Sequence, residues 1–294
     1  MIHTLSNKTS GIIKMQKFTL HTHNNELNFD GLVSAENMII EAERKGFETI
    51  GVSNHIVIHP NMTMWLNNEP MFFDNFNKAI DIYKKHIEIL HKLKNKFKID
   101  IKIGFEADFF CNSVWRNNFE KMIKNLEIDY LIGSNHFLKN KDESFICNIY
   151  HLQRLNPQPS PEILDEWIIN HFDNIVNCIK SGYYTFLAHL DYCSIFNLGT
   201  EAKFDEYKYK IIDTLKEYKL PFEINTSGYR RINNPHPAPW IIQELAKDNT
   251  VPVLISDDAH CPEHIGYKFK ETEKLLKDLN YTNRFMLDML KSKI

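Results

Sequence analysis

The sequence predicts an α/β fold built on a parallel sheet, and three observations support this. Strand-like runs alternate with helix-like runs along the chain. The strand-like runs are short and almost wholly apolar, as expected of strands covered on both faces. Nearly every one of them runs straight into a His, Asp, Glu or Asn. In parallel α/β barrels the C-terminal strand ends converge on one mouth, so this placement would gather those side chains in one place.

Seven runs qualify as strands: 18–20, 49–53, 101–104, 130–133, 185–188, 222–224 and 253–256. The helices between them have readable ends. Ser34 can cap a helix whose apolar positions include Met38, Ile39 and Ala42, with Gly46 as its left-handed stop. Ser160 followed by Pro161 is a cap and first-turn pair, and Gly182 follows the far end of that amphipathic stretch. Pro239 opens another helix through Trp240, Ile241 and Leu245, and 75–97, 202–218 and 270–279 complete the alternation. His86, His91 and His171 fall inside helices and are read as helix-surface residues. The stretch 137–159 reads as a long irregular loop, a feature of functional segments. Trp65, Met62 and Met64, after the second strand, suit a lid, an interface or the core equally.

Composition narrows the function. Of 294 residues, 43% are hydrophobic, too many for a disordered chain. A net charge of −3 gives no counterion-release drive, so no nucleic-acid partner is expected. No apolar run approaches the ~20 residues of a membrane span, and the N-terminus has no secretory signal pattern. Five Cys without Cys-x-x-Cys spacing read as reduced thiols, which predicts a cytoplasmic protein. No linker or internal repeat interrupts the chain. Residues 15–294 are therefore read as one barrel-sized domain, and residues 1–14 as an extension, with Met15 as an alternative start.

The chain holds 14 His, and their positions are informative. Strand one runs into His21-Thr22-His23, strand two into Asn54-His55, and strand three into Glu106 and then Asp108. Strand four ends in Asn135-His136, strand five in His189 and Asp191, strand six in Asn225, and strand seven in Asp257-Asp258-Ala259-His260. Residues i and i+2 on a strand share a face, so His21 and His23 can grip one ion, as can Asp258 and His260. Imidazole and carboxylate without thiolate suit Zn²⁺, Mn²⁺ or Fe²⁺. One His at a strand end is ordinarily structural. Six His with Glu106 and Asp258 exceed what one tetrahedral ion needs, so two or three divalent ions are expected. His59, His151, His236 and His264 fall outside the pattern and are read as bystanders or substrate contacts.

These residues, in order, resemble the polymerase-and-histidinol-phosphatase (PHP) superfamily. The motifs are His-x-His, the strand-two His, Gly-x-Glu-Ala-Asp from Gly104, Gly133-Ser134-Asn135-His136-Phe137, Ala188-His189-Leu190-Asp191, Glu223-Ile224-Asn225-Thr226-Ser227-Gly228-Tyr229-Arg230 and Ser256-Asp257-Asp258-Ala259-His260. Within the superfamily the chain is similar to monofunctional histidinol-phosphate phosphatases, from about Phe18 to the C-terminal helix. The resemblance implies a distorted (β/α)7 TIM-like barrel with a trinuclear metal centre at the C-terminal ends of the strands. Carried over by residue, His21, His23, Glu106 and Asp258 would hold one metal. Glu106 would bridge to a second, completed by His136 and His189. His55 and His260 would hold the third with an acid from the loop after His23, where Asp30 fits in kind and Glu26 competes. The family usually has Asp where this chain has Asn54, which would retune the third site.

The activity so implied is hydrolysis of L-histidinol phosphate, a small phosphomonoester, by a hydroxide bridging two metals. Glu106, Asp258 and His260 would be the catalytic residues. Arg230 is the first choice for gripping phosphate and Arg231 and Arg154 the second, because a planar guanidinium pairs two phosphate oxygens. Asp191, Glu223, Tyr150, Tyr192 and Tyr229 are available for the organic end. Two readings compete: a PHP-type phosphoesterase for phosphotyrosine, a nucleotide or an oligonucleotide, and a metal-loaded scaffold without catalysis.

Overall fold

The computed structural model describes residues 15–27, 30–59 and 75–290. Seven strands form a nearly closed parallel barrel: β1 (Phe18–Thr19), β2 (Thr49–Val52), β4 (Asp100–Asp108), β5 (Tyr130–Ser134), β8 (Phe186–Leu187), β9 (Phe222–Asn225) and β10 (Val253–Ser256), hydrogen-bonded in that order. A short strand β3 (His55–Ile56) resumes the path of β2 after a break and pairs with β4. The seam between β1 and β10 closes at its upper end through a parallel bridge between Thr22 and Ala259. At its lower end the buried Gln16 side chain substitutes for a strand: its amide donates to the Ile255 carbonyl at 2.6 Å and accepts from the Ile255 N–H at 3.0 Å.

The helices follow the expected signals. In α1 (Ala35–Arg44) the Ser34 hydroxyl accepts from the Asn37 N–H at 3.3 Å, and Gly46 lies at φ 78° beyond the end. Pro161 opens α4 (Pro161–Ser181) and Gly182, at φ 73°, ends it. The others are α2 (Phe76–Lys94), α3 (Ser113–Ile123), α5 (Asp205–Tyr218), α6 (Gly228–Arg231), α7 (Pro239–Ala246) and α8 (Phe269–Asp278). Among the described residues no helix is long and apolar enough to cross a membrane.

Three expectations need correction. The third strand runs on to Asp108, so Glu106 and Asp108 sit within it; alternation of inward acids with Phe105 and Ala107 sustains the strand. The stretch after His136 is structured: β6 (Phe137–Lys139) and β7 (Ile146–Asn148) form an antiparallel hairpin, followed by a 3-10 turn over Ile149–Arg154. His86 and His171 are buried, His86 against Phe105 and His171 with Nδ1 at 3.2 Å from the Phe137 carbonyl; only His91 is exposed. Residues 1–14 and the trio Met62, Met64 and Trp65 lie outside the described residues.

The barrel interior is layered by the strand period of two. Gly104, Glu106 and Asp108 on β4 stand in register with Tyr130, Ile132 and Ser134 on β5. The Tyr130 ring occupies the space a Cβ at Gly104 or Gly51 would need, and its hydroxyl donates to the Leu20 carbonyl at 2.6 Å. Tyr130, Leu20, Ile132, Phe186 and Leu254 form an apolar lower layer, closed from below by Phe285 and Leu290 of the C-terminal segment. One or two residues further along the same strands the interior turns polar.

Candidate metal centre

At the upper end of the barrel the predicted donors meet. His21 and His23 leave β1, His55 opens β3, Glu106 stands in β4, and His136 follows β5. His189 follows β8, and Asp258 and His260 follow β10. All except His260 are buried. One Glu106 oxygen, Oε2, lies 3.2 Å from His21 Nε2, 3.5 Å from His23 Nε2 and 3.0 Å from His55 Nδ1. The other, Oε1, lies 2.9 Å from His189 Nε2 and 3.3 Å from His136 Nε2. Asp258 Oδ1 is 3.2 Å from His23 Nε2 and 3.6 Å from His21 Nε2. Asp30 Oδ2 is 2.8 Å from His260 Nε2 and 3.5 Å from His55 Nε2.

These separations fit shared cations. Ligand atoms bound at about 2.1 Å in tetrahedral or octahedral geometry lie roughly 3.0–3.4 Å apart. His21 Nε2 and both ring nitrogens of His23 are buried and make no hydrogen bond among the described residues. Such atoms are costly unless something binds their lone pairs.

The remote nitrogens are held from behind. His21 Nδ1 faces both Glu223 oxygens at 2.9 and 3.1 Å, and Glu223 also accepts from Asn225 Nδ2 at 2.7 Å. Asp108 accepts from the His136 backbone N–H at 2.7 Å and from its Nδ1 at 2.9 Å. His260 Nδ1 lies 2.9 Å from the Asp258 carbonyl. Each contact leaves Nε2 as the lone-pair nitrogen aimed inward.

The electrostatics agree. Burial alone would raise the Glu106 carboxyl, but the imidazoles of His21, His136 and His55 hold it well below the ordinary carboxylate range. Asp258 is likewise held low against burial, by His21, His23 and His260. Burial, then the neighbouring His55 and His260, push His23 down to about 3, so it is a neutral donor. The acids therefore stay ionised; against burial, Glu223, Glu106 and Asp258 hold His21 well above the ordinary imidazole range, and Asp108 and Glu106 do the same for His136, so binding a divalent cation would release protons from these rings.

The structure also separates residues the sequence left undecided. Asp30 reaches His260, whereas Glu26 turns away and accepts from the Ala35 N–H at 2.8 Å, at the start of α1. Gly31 permits this loop path, because a Cβ there would lie 2.3 Å from the Asn24 backbone. Asn54 pairs with Asn24, accepting from its N–H at 2.8 Å and donating to its Oδ1 at 2.7 Å, and so ties the first two strand ends together. Of the residues offered for the organic end, Glu223 is fully buried behind His21 and Asp191 is engaged with His236 at 2.8 Å; neither is open to a ligand. The buttressing acids Glu223 and Asp108 were missed as such. For Asp108 a signal existed, since it shares a strand face with Glu106.

Above the donors lies a cavity of about 470 Å³, lined among others by Asp30, Leu32, Tyr150, Tyr192, His151 and Arg231. Tyr192 packs on His136 and His189, with ring centroids 4.7 and 4.5 Å away. Arg230 lies behind the Asp257–Asp258 turn, 3.4–3.5 Å from those two carbonyls. Arg154 is exposed on the 3-10 turn and does not line the cavity.

The chain is similar to a probable histidinol-phosphatase of Deinococcus radiodurans, 24% identical over 217 residues (71% of this chain, 78% of the relative). It is also similar to one from Schizosaccharomyces pombe, 22% identical over 288 residues (91% and 88%). Among solved structures, histidinol phosphate phosphatase of Lactococcus lactis, complexed with zinc, L-histidinol and phosphate, superposes with a TM-score of 0.66 at 18% identity, over 96% of this chain and 100% of that one. The PHP domain model matches residues 19–227, most of the barrel and six of the eight strand-end donors above, and the chain belongs to the PHP domain family.

Proposed function

We propose that this protein is a metal-dependent phosphomonoesterase that hydrolyses L-histidinol phosphate to L-histidinol and phosphate. The observation that carries the reading is the buried Glu106 carboxylate, whose two oxygens face two separate sets of imidazoles at the floor of an open cavity. The names of the relatives and the ligands of the Lactococcus structure support the substrate.

In this reading His21, His23, Glu106 and Asp258 hold one ion, Glu106, His136 and His189 a second, and His55, His260 and Asp30 a third. Divalent cations in those places supply Lewis acidity toward phosphoryl oxygens and a nucleophilic water near neutral pH. The chain's own part is positional. Glu106 fixes the spacing between the first two donor sets, and Glu223 and Asp108 fix the tautomers of His21 and His136. Asp258 and His260, two residues apart, link the first and third sets. Arg230, with long contacts to two carbonyls and the Tyr267 ring beside it, can turn toward a phosphoryl oxygen, and Arg231 meets it from the mouth. Residues 15–294 act as one domain, and five free thiols suit a cytoplasmic setting.

The test is steady-state phosphate release from L-histidinol phosphate against phosphotyrosine, nucleotides and a 5′-phosphorylated oligonucleotide, with metal content measured on the same sample. A strong preference for L-histidinol phosphate is expected. Comparable turnover of nucleotides or phosphotyrosine would replace the substrate, and full metal occupancy without turnover would leave a scaffold.

A further inference from the structure

Two adjacent arginines at the end of α6 diverge, each seated on a tyrosine. Arg230 lies 5.4 Å from the centroid of the Tyr267 ring, behind the donor-bearing turn. Arg231 lies 5.6 Å from the centroid of Tyr150, and both line the cavity. We propose that Tyr150 is a positioning residue that holds Arg231 over the cavity mouth as a grip for the substrate's phosphate; this rests on the phosphatase reading above.

Arg231 is exposed, and among the described residues no acid pairs with it. A long exposed cation of this kind ordinarily samples many rotamers and loses that freedom when it binds. The face of an aromatic ring reduces that loss, because its quadrupole attracts the guanidinium and its plane sets the orientation. The Tyr150 ring is itself fixed. It meets Phe196 edge-on at 5.0 Å and 88° and Tyr192 at 6.4 Å and 64°, while its backbone N–H donates to Asn148 Oδ1 at 2.9 Å.

A guanidinium held over a ring without an ion-pair partner keeps N–H groups for another ligand, and its planar fork matches two oxygens of a phosphate. Among the described residues that line the cavity, Arg231 is the only arginine or lysine, and it stands at the mouth, away from the donors on the floor. It can therefore take phosphate oxygens that face the entrance. The pair is assembled from two distant stretches of chain, the exit of the β6–β7 hairpin and the turn after β9, so neither residue alone signals it in the sequence.

The experiment uses full-length, zinc-loaded protein and reads two quantities, the Kd of inorganic phosphate by calorimetry and the KM and kcat for L-histidinol phosphate. Tyr150→Leu should raise both Kd and KM about fivefold, with kcat changed by less than about twofold. Tyr150→Phe keeps the ring face and should stay within about twofold of wild type. In an Arg231→Gln background, Tyr150→Leu should add no further loss. Unchanged phosphate affinity in Tyr150→Leu, an equal loss in Tyr150→Phe, or the same fivefold loss persisting without Arg231 would each overturn the proposal. If the wild type binds phosphate with this mutational pattern yet does not turn over L-histidinol phosphate, the pair stands and the substrate reading fails.

Discussion

The lower and upper halves of the barrel interior are made by the same strands and do opposite work. Below, Leu20, Tyr130, Ile132, Phe186 and Leu254 pack against the plug residues Phe285 and Leu290. Above, and in register on β4, comes Glu106 among histidines. The lower layer is stabilised by removing apolar surface from water. The upper layer buries carboxylates and imidazoles, which is unfavourable unless counter-charge accompanies them. The lower half should therefore set stability without touching chemistry, and the upper half the reverse.

The sharpest way to break this division is Glu106→Ala, which removes the donor shared by both imidazole sets. Phosphate release should fall by more than the roughly hundredfold loss typical of mutating a partner outside the ligand set, and metal content should fall with it. Retention of both would mean that Glu106 does not organise the centre. The converse probe is Phe285→Ala, which opens the plug and should cost about 3–5 kcal/mol in denaturant unfolding. Its folded fraction should keep wild-type metal stoichiometry, and a parallel loss of metal would show that the halves are coupled.

Histidines in the two kinds of environment offer a subtler contrast. His86 on α2 sits against Phe105 with no acid beside it among the described residues, and burial lowers its pKa from 6.5 to about 4. The unfolded chain takes up a proton below pH 6.5 that the folded chain refuses until about pH 4. Stability is therefore full above pH 6.5 and declines as the pH falls toward 4, by about 3 kcal/mol from this one group. His86→Leu should flatten that part of the stability–pH curve, as measured by denaturant melts of metal-free protein from pH 7 to 4. An unaltered slope would mean that His86 is solvated. Smaller still is the effect expected of Glu223→Gln, which keeps a hydrogen bond to His21 but removes the charge. Zinc affinity should weaken about 10–100-fold, with the melting midpoint of the metal-free protein little changed. Undiminished affinity would confine Glu223 to packing.

The same contrast explains what could be read from the sequence. The seven strands and most of the donors were legible because each apolar run ends abruptly in a ligand-type residue, a local signal. His86 was misjudged as surface although it falls on one helical stripe with Tyr83, Ile87 and Leu90, and its polarity masked that spacing. The β6–β7 hairpin was hidden because strands of three residues are too short to show alternation. The choice of Asp30 over Glu26 and the pairing of Glu223 with His21 depend on how loops distant in sequence fold together, which no local pattern specifies. The arginines were ranked by motif alone, whereas their distinct placements follow from tyrosines some 80 and 37 positions away.

The decisive measurement is an anomalous-difference map from crystals of zinc-loaded protein. Peaks within bonding distance, about 2.0–2.2 Å, of each Glu106 oxygen, one shared with His21, His23 and Asp258 and the other with His136 and His189, are the predicted result. Ions bound elsewhere, or Glu106 left with no ion on either oxygen, would contradict the account.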